Sequence, residues 1–385
     1  MQTIIFTKHP SRLKLSHVKK GLLTLAVLLT TSFGINTHLL ANESDKTKGK
    51  PTDFGAQYTE AGYRAQHHHE IVRVLTVGNG KDRAYAFIPE GPLPEGRIPI
   101  VFFHHGWLGT SPKNFGALID HLVRTGSVVI YPVYQTINSR NPGENTQPRE
   151  ITTLAGNADK RALEAVEALY PNLVNTEKVL YVGYSMGSAI SLNLALDPSK
   201  FNLPAPKALV LMAPGNAHHV AHGDEGKNII GDLSGLSEDL AVVLIGGTAD
   251  KSIGLPTSRE LASQICHIPK SHRTLLIYPS DSDGNKKILA GHGSPGAPDN
   301  RYDFAKPNDS VAELIMPTAS YEASASLNML DFAGYWKVTT SMLAYVKSGT
   351  YPKDVFGTVD AVKFLGKWPS GRLYNPAEVE DPCPE

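Results

Sequence analysis

Short apolar segments alternate with amphipathic ones along most of the chain. Six of the apolar segments are rich in β-branched residues and show no polar residue at every second position. Strands that are buried on both faces, as in a parallel sheet, have this pattern. The predicted strands are Ile98–Phe103, Ser127–Tyr131, Lys178–Val182, Ala208–Ala213, Ala241–Ile245 and Thr274–Tyr278.

Helical periodicity fills several of the gaps between these strands. The clearest case places Ala162, Val166 and Leu169 on one face of a helix that Pro171 ends. Alternating strands and helices, joined by right-handed crossovers, predict a doubly wound, mostly parallel sheet. The predicted helices are Ala158–Tyr170, Ser185–Leu196, Leu255–Ile265 and, as the last one, Gly334–Lys347.

Two further β-like segments precede the first parallel strand. They cover His69–Val77 and Arg83–Pro89, and Gly78-Asn79-Gly80 lies between them. Asn-Gly between two such segments is a strong hairpin signal, because both residues accept a positive φ. The sheet is therefore expected to begin with an antiparallel hairpin.

The N-terminus has the features of a secretory signal. Basic residues, ending with Lys19-Lys20, precede the apolar run Gly21–Thr31, and Leu39-Leu40-Ala41 is a candidate processing site. The apolar run is shorter than the roughly 20 residues of a membrane span, although retention as an anchor stays open because Leu39 is large for that position. We expect a signal peptide over 1–41, a flexible polar leader over 42–66 and one domain with a C-terminal tail over 67–385. The expected location is secreted or periplasmic, with no stable membrane insertion after processing.

Charge and composition narrow the class of protein. The chain is 41% hydrophobic and 19% charged, as in ordinary globular proteins. The N-terminal segment holds five of the 37 basic residues and no acidic ones, so the remaining chain has an excess of five negative charges. This excess argues against binding to nucleic acid.

The chain has two cysteines, Cys266 and Cys383. In an oxidising compartment they can pair and tie the tail to the domain. Two free thiols are the alternative.

One motif indicates nucleophilic chemistry. Gly183-Tyr184-Ser185-Met186-Gly187 follows the apolar strand Val179–Val182 and opens a predicted helix. A strand-to-helix turn of this sequence exposes the serine on a strained backbone, and only small residues fit two positions to either side. The helix N-terminus supplies N–H groups and a positive dipole for a developing oxyanion. We predict that Ser185 is the nucleophile.

With this turn, and with His104-His105-Gly106-Trp107 after the strand Ile100–Phe103, the chain resembles the α/β-hydrolase superfamily over roughly 69–349. The pattern is most similar to the branch of dienelactone hydrolases, platelet-activating-factor acetylhydrolase-like esterases and cutinase-like polyester hydrolases. Ser188 departs from many of these relatives, which have glycine there. The resemblance implies an α/β-hydrolase fold with loop or lid insertions.

The resemblance also implies roles for further residues. The backbone N–H groups of Trp107 and Met186 would form the oxyanion hole. The superfamily order of serine, acid and histidine assigns the acid to Asp250, after Val242–Ile245, and the base to His292, after Leu275–Tyr278.

Other nearby residues are expected to support the site. His104 and His105 should orient the oxyanion loop through hydrogen bonds, and the indole of Trp107 should line the acyl pocket. Tyr134, which follows the strand Ser127–Tyr131, and Tyr184 are candidate substrate-binding residues, although a tyrosine in the position of Tyr184 often packs into the core. The segments 216–236 and 292–320 also begin at strand ends and are interpreted as rims or lids.

Metal and cofactor sites find little support. His67-His68-His69 and His218-His219-x-x-His222 lack a nearby cysteine pair or the glutamate of a zinc-protease motif, and no phosphate-binding glycine loop occurs. We expect no metal and no cofactor.

The predicted function is hydrolysis of carboxylic esters, as small-molecule substrates of any acyl-chain length, through an acyl-enzyme. Lipase, serine peptidase and perhydrolase activities of the same fold are alternatives. A non-catalytic binding scaffold is an alternative from another class. An aspartate-nucleophile dehalogenase is excluded, because serine occupies the nucleophile position.

Overall fold

The computed structural model describes residues 36–41, 56–92, 96–135, 148–216, 229–251, 253–304, 325–357 and 359–383. The strands are β1 (Asn36–Ala41), β2 (Ile71–Val77), β3 (Ala84–Glu90), β4 (Ile98–His104), β5 (Val128–Pro132), β6 (Val174–Tyr184), β7 (Ala208–Met212), β8 (Ala241–Gly247), β9 (Arg273–Tyr278), β10 (Asp281–Asp283), β11 (Lys286–Ile288) and β12 (Glu378–Glu380). The α-helices are α1 (Glu60–Arg64), α2 (Gly116–Arg124), α3 (Pro148–Leu169), α4 (Met186–Leu196), α5 (Gly254–Gln264), α6 (Lys337–Ser348) and α7 (Val359–Lys363). A π-helix, Asp331–Trp336, leads directly into α6.

One sheet organises the described residues. Its strand order is β1-β2-β3-β5-β4-β6-β7-β8-β9-β12. Strands β4 to β9 run parallel to one another, and β2 and β3 form the predicted antiparallel hairpin. All six predicted parallel strands and the hairpin are confirmed. The carboxyl ends of the parallel strands all lie on the same side of the sheet, and ligands bind on that side in sheets of this kind.

Helices cover both faces of the sheet, and each face has its own apolar core. Leu118 and Leu122 of α2 and Met342 of α6 pack on one face, together with the π-helix. Helices α3, α4 and α5 pack on the other face, and Ile190 of α4 is fully buried there. This arrangement explains why the central strands are apolar on both faces.

The N-terminal region contains two elements that the sequence did not predict, β1 and α1. Asn36–Ala41 pairs antiparallel with β2 at the edge of the sheet, so cleavage after Ala41 would remove an edge strand. The prediction of a leader extending to residue 66 was wrong at its end. Thr59 caps α1 through the N–H of Gly62, and Tyr63 is buried with its hydroxyl bonded to the Phe332 carbonyl.

Two helix predictions also need correction. Helix α3 begins at Pro148, ten residues before the predicted start. The helix predicted as the last is joined to the π-helix, and α7 and β12 follow it. Short tail elements of three to five residues have too little periodicity to be seen in a sequence.

In the described part of the chain, no helix combines the length and the apolar character required to cross a bilayer.

The C-terminal tail returns to the domain. Strand β12 pairs antiparallel with β9 at the edge of the sheet. Cys383 forms a disulfide with Cys266, with 5.4 Å between the Cα atoms. Of the two alternatives that the sequence left open, the structure therefore has the paired form.

Candidate active site

Ser185 lies in the sharp turn between β6 and α4. Its backbone has φ 52° and ψ −124°, a strained region for a residue with a side chain. A Cβ on Gly183 would approach the Gly187 carbonyl oxygen to 2.6 Å, and one on Gly187 would approach the His104 oxygen to 2.0 Å. Both positions therefore require glycine, as the motif predicted. The turn is held by the N–H of Ser185, which donates to the Met212 carbonyl at 3.0 Å.

Asp250 lies in the loop after β8, and it is almost fully buried. Its N–H donates to the Gly247 carbonyl, and its own carbonyl accepts from the N–H of Leu255 at the start of α5. A Cβ on Gly254 would lie 2.0 Å from Asp250 Oδ2. Only glycine at position 254 leaves room for this carboxylate.

His292 lies in the loop that follows β9 and the small β10–β11 hairpin. Its Nδ1 is 2.6 Å from Asp250 Oδ2, and its Nε2 is 2.9 Å from Ser185 Oγ. A carboxylate only accepts, so Nδ1 carries the proton and Nε2 is left to accept from the serine hydroxyl. The side chain of Asp250 is 2% exposed and that of His292 is 18% exposed, so solvent reaches the site from the histidine side.

The three side chains thus form one continuous hydrogen-bonded chain, although Ser185 and His292 are 107 positions apart in the sequence. The acid loop and the base loop are also joined directly. The N–H of Ala249 donates to the Ala290 carbonyl at 2.9 Å, and a Cβ on Gly247 would lie 2.2 Å from that same oxygen. A close backbone approach therefore sets the distance between acid and base.

Residues 99–239 match the family described as the alpha/beta hydrolase fold. The matched segment contains the loop after β4 and the nucleophile turn, and it ends before Asp250. The mostly parallel sheet, covered by helices on both faces, agrees with this match. The chain has the α/β-hydrolase fold.

Among solved structures, the chain is similar to MGS-M1, an alpha/beta hydrolase enzyme from a Medee basin deep-sea metagenome library. The two sequences are 11% identical, the TM-score is 0.44, and the match covers 69% of this chain and 92% of that one. None of the curated proteins matches the sequence.

The loop predicted to supply an oxyanion donor, here called the oxyanion loop, follows β4 and lies directly against Ser185. A Cβ on Gly106 would lie 2.9 Å from the Cβ of Ser185, so glycine is needed there. Met186 is the first residue of α4, and its N–H has no acceptor within the helix. Among the described residues, the N–H of Trp107 has no hydrogen-bond acceptor either. Both amides are thus available for an oxyanion, and the half-buried Trp107 packs beside the core on the α4 side.

His104 and His105 are fully buried and hold this loop, as predicted. His104 Nε2 is 2.9 Å from Asp159 Oδ2, and its Nδ1 is 2.7 Å from Ser191 Oγ. The ring nitrogens of His105 face the Gly106 and Val133 carbonyls at 2.6 and 2.9 Å. Burial lowers the pKa of His105 to about 4, so the ring is neutral and donates to one of the two carbonyls.

The two tyrosines predicted to bind substrate are both buried, and the ring of Tyr184 lies 5.4 Å from the imidazole ring of His292. Tyr134 is fully buried, its ring stacks on His105 with centroids 3.9 Å apart, and its hydroxyl donates to the His105 carbonyl. Tyr184 is buried against Phe115, and its hydroxyl donates to the His292 carbonyl at 3.0 Å. The full burial of Tyr134 leaves no exposed ring for a substrate, because proximity in sequence to a strand end does not fix the direction of a side chain. Both residues support the loops that carry the site.

Several predicted features lie partly or wholly outside the described residues. The segment with His218, His219 and His222 is one of them, as is most of the 292–320 segment. The described start of the latter, up to residue 304, packs on α2, where the N–H of Ala117 donates to the Ala297 carbonyl. Within the described ranges, no cluster of three metal-binding side chains is present. His67 Nε2 lies 3.2 Å from His121 Nδ1.

Two residues that the sequence did not reveal, Gly215 and Gln135, hold the Ser185 turn and the loop after β4 in place. A Cβ on Gly215 would lie 3.0 Å from Ser185 Oγ, and the Gly215 N–H donates to the Ser185 carbonyl. Gln135 accepts from the N–H of Leu108, whose φ is 57°, and so holds the oxyanion loop. Nothing in the local sequence of these residues indicates such contacts, since their partners lie in loops that follow other strands.

Proposed function

We propose that this protein is a serine hydrolase that cleaves carboxylic esters through an acyl-enzyme. The observation that supports this most is the hydrogen-bonded chain from Ser185 Oγ to His292 Nε2 at 2.9 Å and from His292 Nδ1 to Asp250 Oδ2 at 2.6 Å. A serine hydroxyl needs such a base, and the base needs an orienting acid.

In the proposed reaction, Ser185 Oγ attacks the ester carbonyl carbon while His292 Nε2 takes the hydroxyl proton. The backbone N–H groups of Trp107 and Met186 donate to the oxyanion of the tetrahedral intermediate. The C–O bond then breaks, and the imidazolium returns the proton to the leaving alcohol. Water, deprotonated by His292, releases the carboxylic acid and restores the serine. Asp250 keeps the proton on Nδ1 and stabilises the imidazolium throughout.

The nucleophile is tested with a fluorophosphonate probe and with p-nitrophenyl esters from acetate to palmitate. Ser185→Ala and His292→Ala are expected to lower kcat by at least about 10⁴-fold, since each removes an essential part of the chain. His272→Ala is a matched control, because the imidazole of His272 bonds only to the neighbouring Ser271 among the described residues. A folded His292→Ala protein with wild-type turnover would contradict the assignment.

Asp250→Asn tests the acid separately. The substitution keeps the shape of the side chain but favours the wrong imidazole tautomer, for which a loss of about 10⁴-fold in kcat is expected. Asp239→Asn, at an exposed position, is the control.

The chain-length profile addresses the alternatives within the class. A preference for acetate or butyrate favours a small-ester enzyme, and a preference for palmitate favours a lipase. The branch of dienelactone hydrolases and cutinase-like enzymes stays a prediction that this profile and a polyester substrate would test. If the wild-type protein neither reacts with the probe nor cleaves any ester or peptide, the non-catalytic scaffold is favoured.

A further inference from the structure

The π-helix Asp331–Trp336 contacts the loop that carries His292. Tyr335 in this helix is almost fully buried, and its hydroxyl lies 2.7 Å from Ser294 Oγ. Ser294 is two residues after His292. The contact joins elements that are 41 positions apart in the sequence.

The direction of these hydrogen bonds follows from the number of protons. Ser294 Oγ donates its single proton to the Gly291 carbonyl at 2.7 Å. Tyr335 must therefore be the donor to Ser294. The N–H of Ser294 donates to the same Gly291 oxygen at 3.1 Å. The relay runs from Tyr335 through Ser294 to Gly291 and closes the turn around His292, and successive bonds of this kind strengthen one another.

The π-helix places Tyr335 against the end of β9. A Cβ on Gly334 would lie 2.8 Å from Cε2 of Tyr278, so only glycine allows this approach. The rings of Tyr335 and Tyr278 pack edge to face with centroids 5.1 Å apart. Thr339 Oγ1 donates to the Tyr335 carbonyl and fixes the backbone there. π-helical turns are rare and are frequently found at functional sites.

The turn around His292 needs such support. Glycines on both sides of His292 leave its backbone free to adopt many conformations. The Tyr184 hydroxyl holds the His292 carbonyl, and the relay from Tyr335 holds the same turn from the π-helix. A shift of about 1 Å in a catalytic group can cost about 100-fold in rate.

We propose that Tyr335 is a positioning residue that keeps His292 in line with Ser185 and Asp250, acting through Ser294. The inference rests on the proposed function. Removing the Tyr335 hydroxyl should loosen the turn without emptying the core, because the ring remains.

Tyr335→Phe tests the proposal, and Tyr278→Phe is the matched control. Tyr278 is also fully buried and touches Tyr335, but its hydroxyl has no hydrogen-bond partner among the described residues. For Tyr335→Phe we expect kcat and the rate of fluorophosphonate labelling to fall about 10- to 100-fold, with KM within about twofold of the wild-type value. Tyr278→Phe should retain the wild-type kcat and labelling rate. Equal losses in the two variants, or none in Tyr335→Phe, would overturn the proposal.

The double variant distinguishes a relay from general packing. If Tyr335 acts through Ser294, then Tyr335→Phe combined with Ser294→Ala should lose no more kcat than Ser294→Ala alone. Losses that multiply would show independent roles and overturn the proposal.

A spectroscopic readout keeps this inference distinct from the ester hypothesis. The Nδ1 proton of His292 in its bond to Asp250 should give a sharp, downfield proton resonance in the wild-type protein and in Tyr278→Phe, and a broadened or missing one in Tyr335→Phe. An unchanged resonance in Tyr335→Phe overturns the inference whatever the substrate is. An unreactive wild-type serine with the expected resonance changes would overturn only the proposed function.

Discussion

The disulfide between Cys266 and Cys383 is expected to stabilise the protein mainly by restricting the unfolded chain. It joins cysteines separated by 117 residues. In the chain-entropy model, closing a loop of this size removes about 16 cal/mol/K from the unfolded state, which is about 5 kcal/mol at 25 °C. The perturbation is the double substitution Cys266→Ser and Cys383→Ser.

The folded state should change little in this variant, because other contacts hold the tail. Strand β12 stays paired with β9. Arg259 makes a two-point ion pair with Glu380, at 2.8 and 2.6 Å. Arg273 Nη1 lies 2.5 Å from Asp381 Oδ1. The loss in stability is therefore expected to fall between about 2 and 5 kcal/mol, the upper value being the pure chain-entropy estimate.

The assay is guanidinium denaturation followed by tryptophan fluorescence, on the oxidised wild-type protein, the reduced wild-type protein and the double variant. The free energy of unfolding should fall as stated, and the m-value should rise, because the unlinked unfolded chain exposes more surface. Reduced wild-type protein should behave as the double variant does. A free energy of unfolding within about 0.5 kcal/mol of the oxidised wild-type value would refute this reasoning.

Three further predictions concern stability. Burial lowers the pKa of His67 to about 4 and that of His121 to about 3, so the unfolded state binds more protons than the folded state below pH ~6.5. Denaturation at a series of pH values should therefore show a free energy of unfolding that is highest above pH ~6.5 and falls as the pH drops toward 3, and this fall should be smaller in His121→Gln. Burial raises the pKa of Asp331 well above its usual range, so the wild-type protein loses stability as the pH rises above ~4 and the unfolded state releases this proton. The melting temperature of Asp331→Asn minus that of the wild type should therefore increase from pH 5 to pH 8, and a constant difference contradicts this. Gly187→Ala would place a Cβ 2.0 Å from a backbone oxygen of β4 and should yield little soluble protein, whereas Gly235→Ala, whose Cβ meets only a side chain at 3.4 Å, should express normally.

Local chemistry made part of the site readable in the sequence. Gly183 and Gly187 stand in the motif because a Cβ at either position would strike backbone, and a short apolar strand before Ser185 places the turn at the sheet edge. Asp250 and His292 also follow strands of their own. The carboxyl ends of parallel strands meet at one edge, so residues after separate strands were expected to meet there.

The directions of neighbouring side chains were not readable in the same way. Tyr134 and Tyr184 follow strand ends as Asp250 does, yet their rings are buried and their hydroxyls bond to the carbonyls of His105 and His292. Whether a tyrosine faces a site or supports it depends on the space around its ring, and elements distant in the sequence provide that space.

The sequence by itself determined the order of the six parallel strands, the antiparallel start of the sheet and the turn that carries Ser185, and its resemblance to the α/β-hydrolase superfamily assigned Asp250 and His292. Apolar patterning and steric requirements at glycines are local, so they are visible along the chain. Only the tertiary structure decided that Cys266 pairs with Cys383 and that Tyr335 reaches the turn of His292. Both contacts join segments far apart in the sequence, and their geometry exists only after the sheet has been assembled and its edges have been covered.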